Sequence, residues 1–328
     1  LAEIWRELLQ VPVVGVNDNF FDLGGDSILT IQLVSRAAKL GYKFKPKDIF
    51  TYQTIRALCS AAIANASNDE AEQGLLSGES GLLPIQQWYF ENTAQKQVWF
   101  NHALLLNIDK TIDLPQLTKA FETIFTTHDA LRFEYNITGA SAVQTYGSQM
   151  PKVTSVNFAN INVADLAAHI EQTADKLQSE INIEQGKTHA ICLFETPAAE
   201  SHNRLLMVFH HLLIDGVSWR ILVDDLSQLL QNTNGDSLST TASYRQWYEA
   251  LVTYGNRNLS NQLPYWSDIA SKYKPLPIDK PADKSISFSE IKELKNELAA
   301  TQTQMLLHEI PGVYRTEIND LLITALAR

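Results

Sequence analysis

Two short stretches carry side chains whose types and spacing suit chemistry. The first is Asn19-Phe20-Phe21-Asp22-Leu23-Gly24-Gly25-Asp26-Ser27-Ile28, where an apolar anchor and a glycine pair lead to a hydroxyl, followed directly by helical spacing to Leu40. Ser27 is expected at a helix N-terminus. Unpaired backbone N–H groups and the positive helix end would suit it to carry a phosphate ester. Gly24 and Gly25 would let a modifying enzyme approach the backbone. The plain alternative is an ordinary N-cap serine.

The second stretch, Val208-Phe209-His210-His211-Leu212-Leu213-Ile214-Asp215-Gly216-Val217-Ser218-Trp219-Arg220, follows an apolar run and leads into helical spacing. Adjacent residues at a strand end point to opposite sides, so one of His210 and His211 should face the protein body and the other an open cleft. A histidine titrates near neutrality and can take or return a proton. Zinc held by His210, His211 and Asp215 is disfavoured, because the two rings diverge and no third strong ligand follows at metal spacing; no metal is expected. A serine-hydrolase triad lacks its Gly-x-Ser-x-Gly elbow. His102, His169, His189, His202 and His308 are expected to be satisfied core residues.

Elements must position these groups. Residues 1–63 show helical apolar spacing broken by polar turns and predict a small helical bundle. Residues 64–80 are small, polar and acidic, which predicts a flexible linker. Beyond it, Ala103–Asn107 and Arg204–Phe209 read as buried strands, and Leu114–Thr127, Val163–Ile181 and Trp219–Gln231 as helices; the alternation indicates an α/β layer. The stretch ending Leu263-Pro264-Tyr265-Trp266 is expected to close a helix, and the Lys/Pro-rich Tyr273–Asp283 to cross between lobes.

The whole chain sets limits as well. At 328 residues it suits two or more domains, and its net charge of −11 disfavours nucleic acid and anionic membranes as partners. With no bilayer-length apolar run, no secretory signal and only Cys59 and Cys192, a reducing cytoplasm is the expected compartment.

The first stretch resembles the thiolation motif of non-ribosomal peptide synthetase carrier domains, (D/N)-x-F-F-x-L-G-G-x-S, matched at Asn17 or Asp18, Phe20, Phe21, Leu23, Gly24, Gly25 and Ser27. Lys47-Asp48-Ile49-Phe50 adds to the likeness. The resemblance implies a four-helix peptidyl carrier domain over residues 1–63, with 4′-phosphopantetheine covalently attached to Ser27. Asp26 stands where many carriers have His, a variant similar to carriers placed ahead of epimerization domains.

The second stretch resembles His-His-x-x-x-Asp-Gly of the condensation superfamily, which includes chloramphenicol-acetyltransferase-like enzymes. Val217-Ser218-Trp219-Arg220-Ile221-Leu222 looks like its epimerization branch. Leu83–Phe90, Phe100–Leu106, His128–Arg132 and Tyr314–Leu322 extend the likeness. It implies an α/β chloramphenicol-acetyltransferase-like lobe over 81–270, then a crossover and the beginning of a second lobe over 271–328. His211 would be the acid/base residue that inverts the α-carbon of an aminoacyl or peptidyl thioester. His210, Gly216 and Ser218 would support it, with Asp215 structural and paired to Arg132.

The family's Glu-Gly-His-Gly-Arg-Glu motif does not occur before Arg328, so the chain is expected to stop inside the second lobe and to bind without turning over by itself. Expected partners are a phosphopantetheinyl transferase, an upstream adenylation domain, a downstream condensation domain and the thioester substrate. Two other readings are a condensation domain that forms a peptide bond, and a non-catalytic docking platform for carriers.

Overall fold

Polar breaks cut the N-terminal region into four short helices in the computed structural model, which describes residues 1–42, 44–62, 72, 74–92, 100–231, 238, 242–275 and 292–327. These helices are α1 (Ala2–Leu9), α2 (Ser27–Lys39), α3 (Pro46–Thr51) and α4 (Ile55–Ala62). Their apolar stripes meet around Trp5, Phe20, Leu33, Ile49 and Leu58, none of which is exposed. The Trp5 and Phe20 rings meet edge to face at 4.9 Å. Burying a ring of that size contributes about 1.5–3 kcal/mol, so Phe20 anchors the loop that carries Ser27.

Of the stretch expected to be a linker, residues 64–71 and 73 lie outside the described residues. Its far end differs from the expectation. Glu72 pairs with Arg245 at 2.9 Å, Gly78–Glu79 form a short strand, β1, and Ser80 is buried. Glu72, Gly78–Glu79 and Ser80 thus find their partners in the following lobe.

That lobe is built on a four-stranded sheet of order β2-β7-β6-β5 (Asn101–Ile108, Asn203–His210, His189–Glu195, Val153–Asn157). The β5–β6 pair is parallel and the other two pairs are antiparallel. A parallel neighbour needs a crossover, which α7 (Val163–Ser179) supplies. Helices cover both faces. Ile191, Leu193, Leu205, Met207 and Phe209 pack under α6 (Leu114–Thr127) and α8 (Gly216–Gln231), while Cys192, Phe194, Leu206 and Val208 pack against α7. Burial on both sides explains why β6 and β7 read as unbroken apolar runs.

A smaller antiparallel sheet joins β1 to the hairpin of β3 (Phe133–Thr138) and β4 (Ser141–Tyr146), beside α5 (Pro84–Asn92). The next helix, α9, runs over Tyr244–Lys272 and does not end at Pro264 as expected. The proline removes one helical hydrogen bond. None of the residues of α9 is buried, so the freed carbonyl can turn to water.

The chain divides into two compact units, Leu1–Leu263 and Pro264–Arg328. In the second unit the described elements after α9 are α10 (Ala300–Gln304), a π-helical turn (Met305–Glu309), α11 (Ile310–Tyr314) and α12 (Ile318–Leu326). Of the expected crossing at 273–283, residues 276–283 lie outside the described residues. No helix among the described residues is long and apolar enough to cross a membrane.

Candidate functional site

Ser27 is the first residue of α2 and is exposed. Asp26 is the N-cap, its Oδ1 accepting from the N–H groups of Ile28 (2.8 Å) and Leu29 (2.7 Å). This corrects the expectation that those N–H groups are free for a phosphate, since a carboxylate already satisfies them. The Ser27 hydroxyl itself makes no hydrogen bond among the described residues, which fits an attachment point for a long flexible arm. The glycines have intramolecular reasons. Gly24 has φ +97°, a conformation that side chains oppose, and a Cβ on Gly25 would lie 2.3 Å from the Phe20 ring.

The two histidines at the end of β7 have different surroundings. His210 is 5 % exposed, and its N–H donates to the Thr188 carbonyl at 2.8 Å. Nδ1 accepts from the Leu212 N–H at 3.2 Å, which leaves Nε2 to carry the proton facing Tyr89 Oη at 3.4 Å. Burial first, and the charge of His211 second, push its pKa down to about 4. His210 is therefore a neutral packing residue at pH 7.

His211 is partly exposed and lines a cavity of about 500 Å³ together with Trp88, Tyr89, Phe100, Ile214 and Tyr244. That volume lies within the range of about 300–1,000 Å³ typical of small-molecule sites. Nδ1 of His211 lies 2.8 Å from the Ile214 carbonyl oxygen. A carbonyl accepts and never donates, so Nδ1 carries the proton and the neutral ring keeps its lone pair on Nε2. The local structure thus prepares a base.

Asp215 and Arg132 do not pair. Asp215 is exposed, and its Oδ1 accepts from the N–H groups of Val217 (3.0 Å) and Ser218 (2.8 Å) and from the Ser218 hydroxyl (2.7 Å). Burial opposes its charge, but these bonds win and hold its pKa below the ordinary value. Arg132 is buried and donates to the carbonyls of Phe125 and Thr126 at the end of α6. Helix ends explain the difference from expectation: α8 lacks partners for its first N–H groups and α6 for its last carbonyls, so each charge serves a terminus. A Cβ on Gly216 would meet nothing within 4 Å, so packing does not require its glycine.

A polar network holds Tyr244 at the cavity wall. Asp129 Oδ2 accepts from the Tyr146 hydroxyl (2.6 Å) and from the Tyr244 N–H (2.8 Å). Burial, then the Asp129 bond, pushes the Tyr146 hydroxyl pKa up, so it stays a donor. Glu72 completes the frame, accepting from Arg245 and from the Ser243 hydroxyl. No group of His, Cys, Asp and Glu suited to a metal ion occurs among the described residues.

Residues 77–327 match the family described as Condensation domain. This chain belongs to that family. Ahead of the condensation domain, residues 1–62 match the family described as Phosphopantetheine attachment site, so the carrier region bears covalent 4′-phosphopantetheine. A linear gramicidin synthase of Brevibacillus parabrevis is 36% identical over 337 residues, spanning 100% of this chain and 6% of that protein. Surfactin synthase subunit 2 of Bacillus subtilis (strain 168) is 36% identical over 335 residues, 99% of this chain and 9% of that protein. The chain therefore spans less than a tenth of either relative.

Among solved structures, the epimerization domain from the third module of a tyrocidine synthetase superposes with a TM-score of 0.65 at 31% identity, covering 79% of this chain and 59% of that one. The starter condensation domain of rhizomide synthetase gives a TM-score of 0.53 at 16% identity over 60% of this chain and 49% of that one, a likeness of fold alone. The expected arrangement of a helical carrier followed by an α/β chloramphenicol-acetyltransferase-like lobe is what the condensation domain and its carrier show.

Sequence reasoning missed several contributors to the condensation domain's cavity. Tyr89 and Trp88 lay in a stretch noted only for its likeness, and Tyr244 lay in none. His102, expected in the core, is partly exposed and sits against His211, with ring centroids 3.9 Å apart. His169, His202 and His308 are exposed, also contrary to expectation. Of these five, His189 packs against the core rings Phe125 and Phe209, and burial pushes its pKa down to about 4.

Proposed function

We propose that the chain is the carrier and epimerization segment of a non-ribosomal peptide synthetase, inverting the α-carbon of an aminoacyl or peptidyl thioester. The observation that carries this reading is the His211 tautomer: a lone pair on Nε2 at the wall of an apolar cavity. Ser27 is the attachment point for 4′-phosphopantetheine. The arm's thiol holds the acyl group as a thioester, which acidifies the neighbouring α C–H bond.

His211 Nε2 takes the α-proton. The C–H bond breaks, an N–H bond forms, and the C–H electron pair moves into the adjacent carbonyl. Reprotonation on the opposite face inverts the centre and returns the electron pair to carbon. The family resemblance assigns that second proton to a carboxylate in the Glu-Gly-His-Gly-Arg-Glu motif. Trp88, Phe100 and Ile214 give the proton's path an apolar wall.

The likeness to an epimerization domain at 31% identity, against 16% for a condensation domain, supports this reading over peptide-bond formation. So does Val217-Ser218-Trp219-Arg220 after the histidine motif. The partners it requires are a phosphopantetheinyl transferase to load Ser27, an upstream adenylation domain to supply the acyl group and a downstream condensation domain to accept it.

The test loads Ser27 of the intact parent synthetase with an α-deuterated aminoacyl thioester. Loss of deuterium with inversion is expected, and H211A abolishes both. Retained deuterium and unchanged stereochemistry in the wild type overturn the proposal. Peptide-bond formation with a second carrier would instead establish the condensation reading, and unchanged stereochemical output in H211A would favour the docking platform.

A further inference from the structure

The edge strand β2 brings two rings to His211. Phe100, just before the strand, extends the ladder across from His211, whose backbone N–H donates to the Phe100 carbonyl at 2.7 Å. Their rings stack with centroids 4.8 Å apart and 23° between planes. His102 lies two residues further on, so the pleat places it on the same face as Phe100, diagonal to His211. Its ring centroid is 3.9 Å from that of His211, with 54° between planes.

The His102 ring makes no hydrogen bond among the described residues, and it is partly exposed. It is therefore not explained as a buried polar group with its needs met. The titratable groups that bear on the pair are Asp215 in the turn, which acts on both rings, and the neutral His210 on β7, which neighbours His211. Burial first, and His211 second, hold the His102 imidazole below the ordinary histidine range, against a smaller upward pull from Asp215. At pH 7 it presents a flat, uncharged ring.

One hydrogen bond, from Nδ1 to Ile214, leaves an imidazole able to swing about that contact. Ring packing, worth about 0.5–1.5 kcal/mol per pair, opposes the swing. We propose that His102 is a positioning residue for the proton transfer: with Phe100 it restricts rotation of the His211 ring, so that Nε2 keeps one direction into the cavity. This rests on the reading of His211 as the base.

The experiment uses the full chain with ¹⁵N-labelled histidine and follows the His211 Nδ1–H signal by NMR. In the wild type this proton is protected by Ile214. In H102A its exchange with solvent is expected to accelerate by about tenfold or more, whereas H102F, which keeps a ring, retains protection. Unchanged exchange in H102A, or equal loss in both variants, overturns the proposal.

A second arm titrates His102 itself. Its midpoint should rise in H211N, where the neighbouring imidazole that disfavours its protonation is gone, and an unmoved midpoint removes the pairing. In the loaded parent synthetase, H102A should lower kcat by about 10–100-fold at unchanged KM, with H102F near wild type; a rise in KM alone argues against positioning. Because the NMR arms need no turnover, a wild type that fails to epimerize but loses Nδ1–H protection in H102A sinks the epimerase reading and leaves only the restraint of the His211 ring by His102 standing.

Discussion

The carbonyl of Ile214, 2.8 Å from Nδ1, decides which nitrogen of His211 can act as a base. Its neighbour His210 shows the opposite outcome, since burial keeps it neutral with a pKa of about 4. A histidine whose folded pKa lies below its unfolded value of about 6.5 lowers stability as pH falls through that window, because the unfolded chain binds the proton first. His189 behaves alike. Stability measured by denaturant should therefore decline between about pH 6.5 and 4, by up to about 3 kcal/mol per group, and H210F should flatten part of that slope. Asp26 supplies a second prediction at this level: D26A leaves two N–H groups of α2 uncapped and should cost the carrier about 1 kcal/mol. Urea unfolding of the carrier transition reads it directly.

Among elements, the loop into α2 is held by Phe20, and Gly25 is where that ring touches the backbone. A Cβ there would lie 2.3 Å from the ring and 2.6 Å from the Phe20 carbonyl oxygen. Phe20 is fully buried, and the second clash is with backbone, which cannot swing aside as a side-chain tip can. G25A should therefore destabilise the carrier by about 1–3 kcal/mol and reduce loading of Ser27, read as the mass gained on incubation with coenzyme A and a phosphopantetheinyl transferase. In the lobe, α6 presses Phe125 onto the sheet under Phe209 and His189. F125A should cost about 3–5 kcal/mol in the lobe transition and leave the carrier transition in place.

For the molecule as a whole, the carrier and the sheet lobe have separate apolar cores. Arg36 of α2 joins them, reaching Glu7 at 3.3 Å in the carrier and Asp224 of α8 at 3.5 Å. These side chains are about a third to half exposed, so water and salt screen the pair. Such a bridge contributes about 0–1 kcal/mol. Scanning calorimetry should show two transitions, and D224A should move neither midpoint appreciably; one coincident transition would mean that the two cores unfold as a unit.

Residue types and spacing alone determined the carrier helices, the strands around Leu105 and Leu206, and the positions of Ser27 and His211, because these depend on local periodicity and on motifs contiguous in the chain. Of the two strands expected to be buried only the one around Leu206 is, since β2 lies at the sheet edge and Leu105 is exposed. They also placed α6 at its observed bounds, where Asp113 and Gln116 form a capping box. Only the tertiary structure decided the proton's place on His211, the meeting of His102 with that ring, and the use of Asp215 and Arg132 on separate helix ends. The His102 contact depends on strands distant in sequence coming within about 3–5 Å, and the others on turn and helix-end geometry that brings groups a few residues apart within hydrogen-bonding reach. Periodicity reports the face a residue takes, and the partner waiting on that face is set by the fold.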